Sequence, residues 1–268
     1  MSTWNTRQII EALALLDEAA VSDGILEITT SNFRLLRFPE RLLSPTMPAA
    51  QVIWSITSKS LDIVFDEVSL IVRGWDLDAV HWWVTSTTRP LDTEDYLLHR
   101  GGVLSDSFQI LARELGTETA QRVAPNDVEV ELVSDERALR SAIDVETQGW
   151  GRSLLDEESI GRRLIEVLHD LEAATRFQFV AYIDGIPIST GCCRIDGEVG
   201  RLYGAVTLPE FRLRGAYHAI LSSRLRQARA LGATIAITRG RPLTSGPILV
   251  KAGFTVHGEE KCYRLAVR

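Results

Sequence analysis

The chain has 268 residues, 45% of them hydrophobic and 24% charged, enough for two globular domains of roughly 100–150 residues each. A net charge of −7 argues against nucleic acid as a partner, because phosphate-binding surfaces need concentrated Lys and Arg. The acidic balance suits a small cationic or amine-bearing substrate, or serves solubility alone; no apolar run approaches the roughly 20 residues that cross a bilayer and no basic-then-apolar leader opens the chain, so a cytoplasmic protein with no membrane partner is expected.

In chain order, residues 6–20 place Ile9, Ile10, Leu13, Leu15 and Leu16 at helical spacing and predict an amphipathic helix. Short strands are expected at 25–29 and 33–38, a proline-containing loop at 39–50 and an extended run at 51–57. Residues 58–72 read as a helix, with Leu61, Ile63, Val64, Phe65, Val68 and Ile71 apolar and Gly74 placed to end it. A buried aromatic and β-branched strand follows at 80–84, then a polar turn at 86–88 before Arg89-Pro90. Residues 118–127, largely polar with one proline, read as a linker between a domain at 1–117 and a domain at 128–268.

Beyond it, a strand at 128–133 leads into Ser134 and Asp135, candidates to cap a helix at 136–147, and a second helix follows at 156–171. Strands at 177–183 and 188–194 flank Asp184-Gly185, a hairpin signal, and Asp196-Gly197 marks the turn before a third strand at 199–208. An Arg-rich turn, a helix to Leu231 stopped by Gly232 and an apolar strand at 234–238 come next. A short helix near 244–252 closes on Gly253-Phe254, and a last strand is expected at 262–267. Cys192, Cys193 and Cys262 are too few and too poorly spaced for a disulfide framework or a zinc site, and no metal is expected. Cys192 and Cys193 are neighbours on a predicted strand and so point to opposite faces. They read as buried small apolar residues, with a nucleophilic cysteine as the alternative.

The chemistry concentrates at Thr207-Leu208-Pro209-Glu210-Phe211-Arg212-Leu213-Arg214-Gly215-Ala216-Tyr217, where a strand enters a turn and a helix starts at once. The first amides of a helix lack intrahelical partners and the macrodipole is positive there, so amides around Gly215 suit a pyrophosphate. Arg212 and Arg214 add charge at the rim, and the missing Cβ of Gly215 lets an anion approach the backbone.

Arg212-x-x-Gly215-x-Tyr217 resembles the Gln/Arg-x-x-Gly-x-Gly/Ala signature of the GNAT superfamily of N-acetyltransferases; Tyr217 stands where Gly or Ala is usual, but only its amide is needed. The order strand, two helices, three antiparallel strands, turn, helix, strand, helix, strand extends the likeness over residues 127–268, and Gly253-Phe254 matches the family's closing Gly-Phe. The resemblance implies an α+β fold with a mixed, mostly antiparallel sheet flanked by helices. Shifting the first half by 152 positions lays Arg89-Pro90-Leu91 on Arg241-Pro242-Leu243, Leu97 on Leu249, Gly101 on Gly253 and residues 110–115 on 262–267. Two tandem copies of one fold are therefore expected. The first has no such turn between Trp54 and Ser60, so it is degenerate, does not bind CoA, and covers a sheet edge or walls the acceptor site, with Trp75, Trp82 and Trp83 as wall candidates.

The resemblance further implies an acyl-CoA-dependent N-acetyltransferase with acetyl-CoA as co-substrate, a small-molecule amine as acceptor, and a monomer or homodimer. Carried over by position, the cofactor-binding residues are Ala205, Val206, Thr207, Arg212, Leu213, Arg214, Gly215, Ala216, Tyr217 and, near the family's Asn place, Ser245. An amide, that of Ala205, polarises the thioester carbonyl. Leu249 occupies the place of the family's acid tyrosine and donates no proton. Either Tyr203 or Tyr263 replaces it, or the thiolate leaves unassisted, or the second half is inert as well. The base is equally open between Glu198, Tyr203, His218 and water. Arg201, on the acceptor end of the strand, is either a partner for a substrate carboxylate or a surface ion-pair residue. The acceptor is set by loops, including residues 149–153 and the Trp-rich strand. A catalytically silent acyl-CoA-binding or scaffolding module, and a transferase using a longer acyl donor, are the alternatives.

Overall fold

The computed structural model of the chain describes residues 4–18, 24–40, 43, 48–116 and 127–267. The expected linker lies outside the described residues except for Asp127, as does part of the expected loop at 39–50. The first half runs α1 (Thr6–Glu18), β1 (Leu26–Thr29), β2 (Phe33–Arg37), β3 (Ala50–Ser55), α2 (Leu61–Gly74), β4 (Ala79–Val84), α3 (Thr93–His99) and β5 (Val103–Glu114). The second runs β6 (Glu129–Leu132), α4 (Glu136–Trp150), α5 (Glu157–Glu172), β7 (Arg176–Ile183), β8 (Ile186–Asp196), β9 (Val199–Thr207), α6 (Ala216–Ala230), β10 (Ile235–Gly240), α7 (Ser245–Lys251) and β11 (Thr255–Ala266). No helix among the described residues is long and apolar enough to cross a membrane.

Local chemistry explains the boundaries. Asp135 accepts a hydrogen bond from the Ala138 amide (2.8 Å) and Asp156 one from that of Ser159 (2.8 Å), so each starts a helix, α4 and α5. Asp184 and Gly185 both take positive φ (51° and 76°), the backbone that a two-residue hairpin between twisted strands requires. Helix α2 begins at Leu61, three residues after the expected start at 58, because Ser60 caps it. Gly74 is its last helical residue and does not stop it; the left-handed residue is Asp76, φ 58°. Strand β11 starts at Thr255 instead of 262. A chain-order shift of 152 positions places α3 on α7 and β5 on β11 end for end, with buried Leu97 on buried Leu249 and left-handed Gly101 (φ 82°) on Gly253 (φ 86°). The series β1-β2-β3-α2-β4-α3-β5 thus recurs as β7-β8-β9-α6-β10-α7-β11.

Compactness cuts across chain order. The larger unit comprises Met1–Ala19, Leu111–Arg239 and Gly253–Thr255, and the smaller comprises Ala20–Ile110, Gly240–Ala252 and Val256–Arg268. In the larger, the strand order is β6-β7-β8-β9-β10, antiparallel except for the parallel β9–β10 pair, and the end of β5 lies beside β10, where the Leu115 amide donates to the Thr234 carbonyl (2.8 Å). Helix α6 covers one face over Phe177, Phe179, Ala181 and Ile183; α4 and α5 cover the other over Val180 and Tyr182. Alternation along β7 assigns those faces.

The smaller unit orders its strands β1-β2-β3-β4-β11, followed by the first part of β5. Its core joins Val64, Phe65 and Val68 of α2 to Trp82 of β4 and to Tyr263 and Leu265 of β11. The last strand of the chain therefore completes the core of the unit that holds most of the first half. Trp82 is fully buried and donates to Ser55 Oγ (3.0 Å), while Trp83 stacks on Phe108 (centroids 5.6 Å) and donates to Gln51 (2.9 Å), so both indoles serve packing.

Candidate functional site

Strand β9 carries the site. Val199 to Leu202 pair in parallel with Ile235 to Thr238, and the ladder stops there, where Thr238 Oγ1 donates to the Leu202 carbonyl at 2.8 Å. From Tyr203 to Thr207 the strand stays paired to β8 while its other edge leaves the β10 ladder. Backbone donors and acceptors on such an edge call for partners, which an extended polar ligand supplies. On the β8 side, between the pairs Thr190↔Val206 and Cys192↔Tyr203, Gly204 and Ala205 face the single residue Gly191. Two against one is a β-bulge, and Gly204 takes the left-handed φ of 58° that it needs.

The strand then enters the turn. Pro209–Phe211 form a single 3-10 turn, Arg212 is extended, Leu213 and Gly215 are left-handed (φ 64° and 83°), and α6 starts at Ala216. The helix's first bond runs from the Ala219 amide to the Gly215 carbonyl (3.0 Å), so the amides of Ala216 and Tyr217 precede the ladder. Gly215 offers no capping side chain and the first turn holds no acid, which leaves the positive helix end to an outside anion. Leu213 is 106% exposed and gains nothing from burial, so its left-handed backbone is a local strain set by the turn alone. Arg214 pairs with Asp127 at 2.8 Å; both side chains are about half exposed, and a pair of that kind holds by no more than about 1 kcal/mol.

Across the α4/α5 face of the same strands lies a polar cluster. Gln178, Cys192 and Tyr203 stand directly opposite one another on β7, β8 and β9. Buried Glu146 of α4 receives both terminal nitrogens of Arg163 (2.9 and 2.8 Å) and the Gln178 amide (2.8 Å), and Gln178 also donates to Thr190 (3.1 Å). Arg152 lies 3.8 Å from Glu146 and stacks on Trp150 at 4.3 Å. On the opposite face, fully buried Arg224 of α6 reaches the Cys192 carbonyl at 3.5 Å, behind the bulge. Helix α4 meets β9 closely: a Cβ on Gly149 would sit 2.5 Å from Val206 Cγ2. Gly149→Ala is expected to cost about 1–3 kcal/mol through overpacking, read as a lower urea midpoint; an unchanged midpoint would show that the contact relaxes freely.

These placements sort the expected site residues. Ala205 and Tyr203 adjoin the bulge, with Val206 and Thr207 on the departing edge, where Ser189 Oγ donates to the Val206 carbonyl (2.9 Å) and lies 2.8 Å from Thr207 Oγ1. Arg212, Leu213, Arg214, Gly215, Ala216 and Tyr217 form one continuous turn. Burial, with the Cys192 thiol as neighbour, pushes the Tyr203 phenol far up, so it holds its proton at neutral pH. Glu198 is exposed in the turn before β9, about 23 Å along the strand from Ala205, and is not brought to the bulge. Ser245 opens α7 in the smaller unit, with its hydroxyl accepting from the Arg241 amide (2.8 Å). Tyr263 lies in the same unit and donates to Glu94. Burial pushes Cys192 and Cys193 up to about 12 and holds them as thiols, against a nucleophilic role. Glu146, Arg163 and Gln178 escape sequence reasoning, and Arg152 enters it only as part of the expected acceptor loop at 149–153, because only strand register and helix placement bring the four together.

In the smaller unit β3 and β4 pair in parallel at Gln51↔His81 and Val52↔Trp82, and the strands are joined again further on. Ile56 bridges Arg89, the Arg89 amide donates to the Ser55 carbonyl (3.0 Å), and the Thr57 amide donates to the Arg89 carbonyl (3.1 Å). The split that stays open beyond Leu202 in the larger unit is closed there.

A parallel pair that parts beside a bulge, followed by an anion-ready helix start, is the frame of the GNAT N-acetyltransferase fold, here present in two copies. Solved structures carry the same fold. A GCN5-related N-acetyltransferase from Sphaerobacter thermophilus matches with a TM-score of 0.66 and 12% identity, over 96% of this chain and 85% of that one. One from Kribbella flavida matches at 0.63 and 15%, over 97% and 94%. A tandem GNAT protein from the clavulanic acid biosynthesis pathway matches at 0.59 and 12%, over 88% and 78%. No protein-family model matches the chain, and no curated protein matches it.

Proposed function

We propose that the chain is an acyl-CoA-dependent N-acetyltransferase acting on a small amine. The observation that carries this reading is the open edge of β9 from Tyr203 to Thr207, continuous with the anion-ready turn at Arg212 to Tyr217. Pantetheine, an extended amide chain, pairs with that edge, and its diphosphate sits on the amides of the turn with Arg212 and Arg214 at the rim. The thioester carbonyl then faces the bulge, where the Ala205 amide stabilises the developing oxyanion.

The neutral amine attacks the thioester carbon. A C–N bond forms, the C–S bond breaks, the amine proton passes to water, and the thiolate takes a proton. Tyr203, next to the bulge, passes a proton to the thiolate and recovers one from the water that took the amine proton, so no charge is left on the buried phenol. Glu198 is left without a role by its distance. In chain order we assign residues 1–117 to a degenerate copy, 118–127 to a linker and 128–268 to the cofactor-binding copy; the rejoined strands at Ile56 and Arg89 support a first copy that takes no cofactor. Burial of Leu249, which has no proton to donate, favours the second reading, a silent acyl-CoA-binding module.

Calorimetric titration with acetyl-CoA tests the proposal. Saturable binding is expected, and no heat at millimolar cofactor would end it. Thiol release across an amine panel separates the two readings, since the silent module binds without turnover. A competition series of longer acyl-CoAs reads the donor length.

A further inference from the structure

We infer that the donor site gauges the acyl group and admits acetyl: the acyl methyl lies beside Gly204, between the Cys192 thiol and the edge of the Trp150 indole. This deepens the acyl-CoA reading and rests on it. The starting point is a gap in the strand. A carbon built in the Cβ direction of Gly204 would touch Cys192 Sγ at 3.7 Å and Trp150 Cη2 at 3.8 Å, with nothing else within 4 Å beyond its own chain neighbours. Those are ordinary van der Waals distances, so a methyl group fits there, and a longer chain running the same way has to displace one of the two walls. Gly204 is only half-buried, so the gap is open to a ligand.

The place is also where a thioester would bring its acyl group. Gly204 lies on the stretch of β9 that has left the β10 ladder, next to Ala205, whose amide faces the thioester carbonyl. The methyl of an acetyl group is one bond from its carbonyl carbon, so a carbonyl held at the bulge delivers its methyl to Gly204. The backbone there has φ 58°, which Asn and Asp also adopt with little strain. The left-handed turn of the bulge therefore does not by itself call for glycine; the space beside it does.

Both walls are held from behind. Cys192 is buried and stands directly opposite Gln178 on one side and Tyr203 on the other. Burial pushes its thiol up to about 12, so it offers the gap a small uncharged surface that suits a methyl group. Trp150 is the last residue of α4. Gly149 before it presses on β9, where a Cβ would lie 2.5 Å from Val206 Cγ2, and left-handed Gly151 (φ 64°) turns the chain away after it. The Arg152 guanidinium stacks on the indole at 4.3 Å and lies 3.8 Å from Glu146, which Arg163 and Gln178 hold in turn. One polar network thus braces the indole and reaches the strand neighbour of the thiol. Walls packed in this way yield little to an added methylene.

The test is calorimetric and uses the whole protein with free CoA and with acetyl-, butyryl- and hexanoyl-CoA, so it reads the gap whether or not the protein turns over. Acetyl-CoA is expected to bind tightest, with hexanoyl-CoA at least about 10-fold weaker. Trp150→Ala removes one wall and is expected to bring hexanoyl-CoA to within about 2-fold of acetyl-CoA or above it, a gain that misfolding does not produce. Gly204→Ala puts a methyl group into the gap and is expected to weaken acetyl-CoA about 10-fold more than it weakens free CoA, which brings no acyl group. Should an alanine at that backbone unfold the protein, Trp150→Ala carries the decision alone. Equal affinity of the parent for all three thioesters, or the parent's order retained in Trp150→Ala, would overturn the inference; free CoA that still binds then leaves the cofactor reading standing. No heat from free CoA or from any thioester would instead strike the cofactor reading, and the acyl gauge with it.

Discussion

Gly215→Glu is expected to abolish acetyl-CoA binding while leaving the protein folded. Gly215 has φ 83°, where a side chain costs about 1–2 kcal/mol. A carboxylate at a helix N-terminus returns about 0.3–1 kcal/mol of that through the macrodipole. The net loss of stability is therefore small, and the circular dichroism melt should move by only a few degrees. The same carboxylate occupies the amides that would hold a diphosphate and repels it, so affinity should fall by at least about 100-fold, as for loss of a charge-assisted contact with added repulsion. Gly215→Ala adds strain without charge and should show the smaller loss. Unchanged calorimetric affinity in Gly215→Glu would show that the turn holds no diphosphate.

Glu146→Ala is expected to produce the largest loss of stability among single changes at the site. The carboxylate is buried, receives Arg163 twice and Gln178 once, and has Arg152 at 3.8 Å. Removing it takes from the Arg163 guanidinium its carboxylate and from the Gln178 amide one of its two acceptors, which costs about 3–5 kcal/mol. Removing both partners is different: Glu146→Leu with Arg163→Met replaces the ion pair by apolar volume and should recover most of the loss, because the charges no longer need compensation. Chemical denaturation of the three variants checks this. A Glu146→Ala protein within about 1 kcal/mol of the parent would mean that the network relaxes around the gap or admits water.

Much of the frame is written locally. Asp135, Asp156 and Ser60 cap helices because a short oxygen-bearing side chain reaches a free amide, and Asp184-Gly185 turns a hairpin because both residues tolerate positive φ. The 152-residue shift is legible from a handful of identities, and it carries the bounds of α3 onto those of α7 and the bounds of β5 onto those of β11. The segment 110–115, laid on the expected strand at 262–267 by the repeat, falls within β5 except for Leu115.

What escapes the sequence has a common cause. Backbone ladders carry no side-chain code, so alternation in β11 tells which residues are buried but not that they enter the core built around α2 and β4. The same holds for the bulge at Gly204 and Ala205: one extra residue changes the register, and only the paired strand β8 reveals it. Glu146 reads in isolation as a solvated helical acid, yet it is buried against Gln178 from a strand more than thirty positions away.

The sequence by itself determined the turn at Arg212 to Tyr217, the helix starts and the doubling of the pattern, since each depends on contacts within a few residues or on internal likeness. Tertiary structure decided which unit each terminal strand completes, where β9 leaves β10, and that Trp150 and Cys192 flank Gly204. Those outcomes depend on pairing between distant segments, whose hydrogen bonds are alike for every residue and whose register is fixed only when all the buried faces are satisfied together.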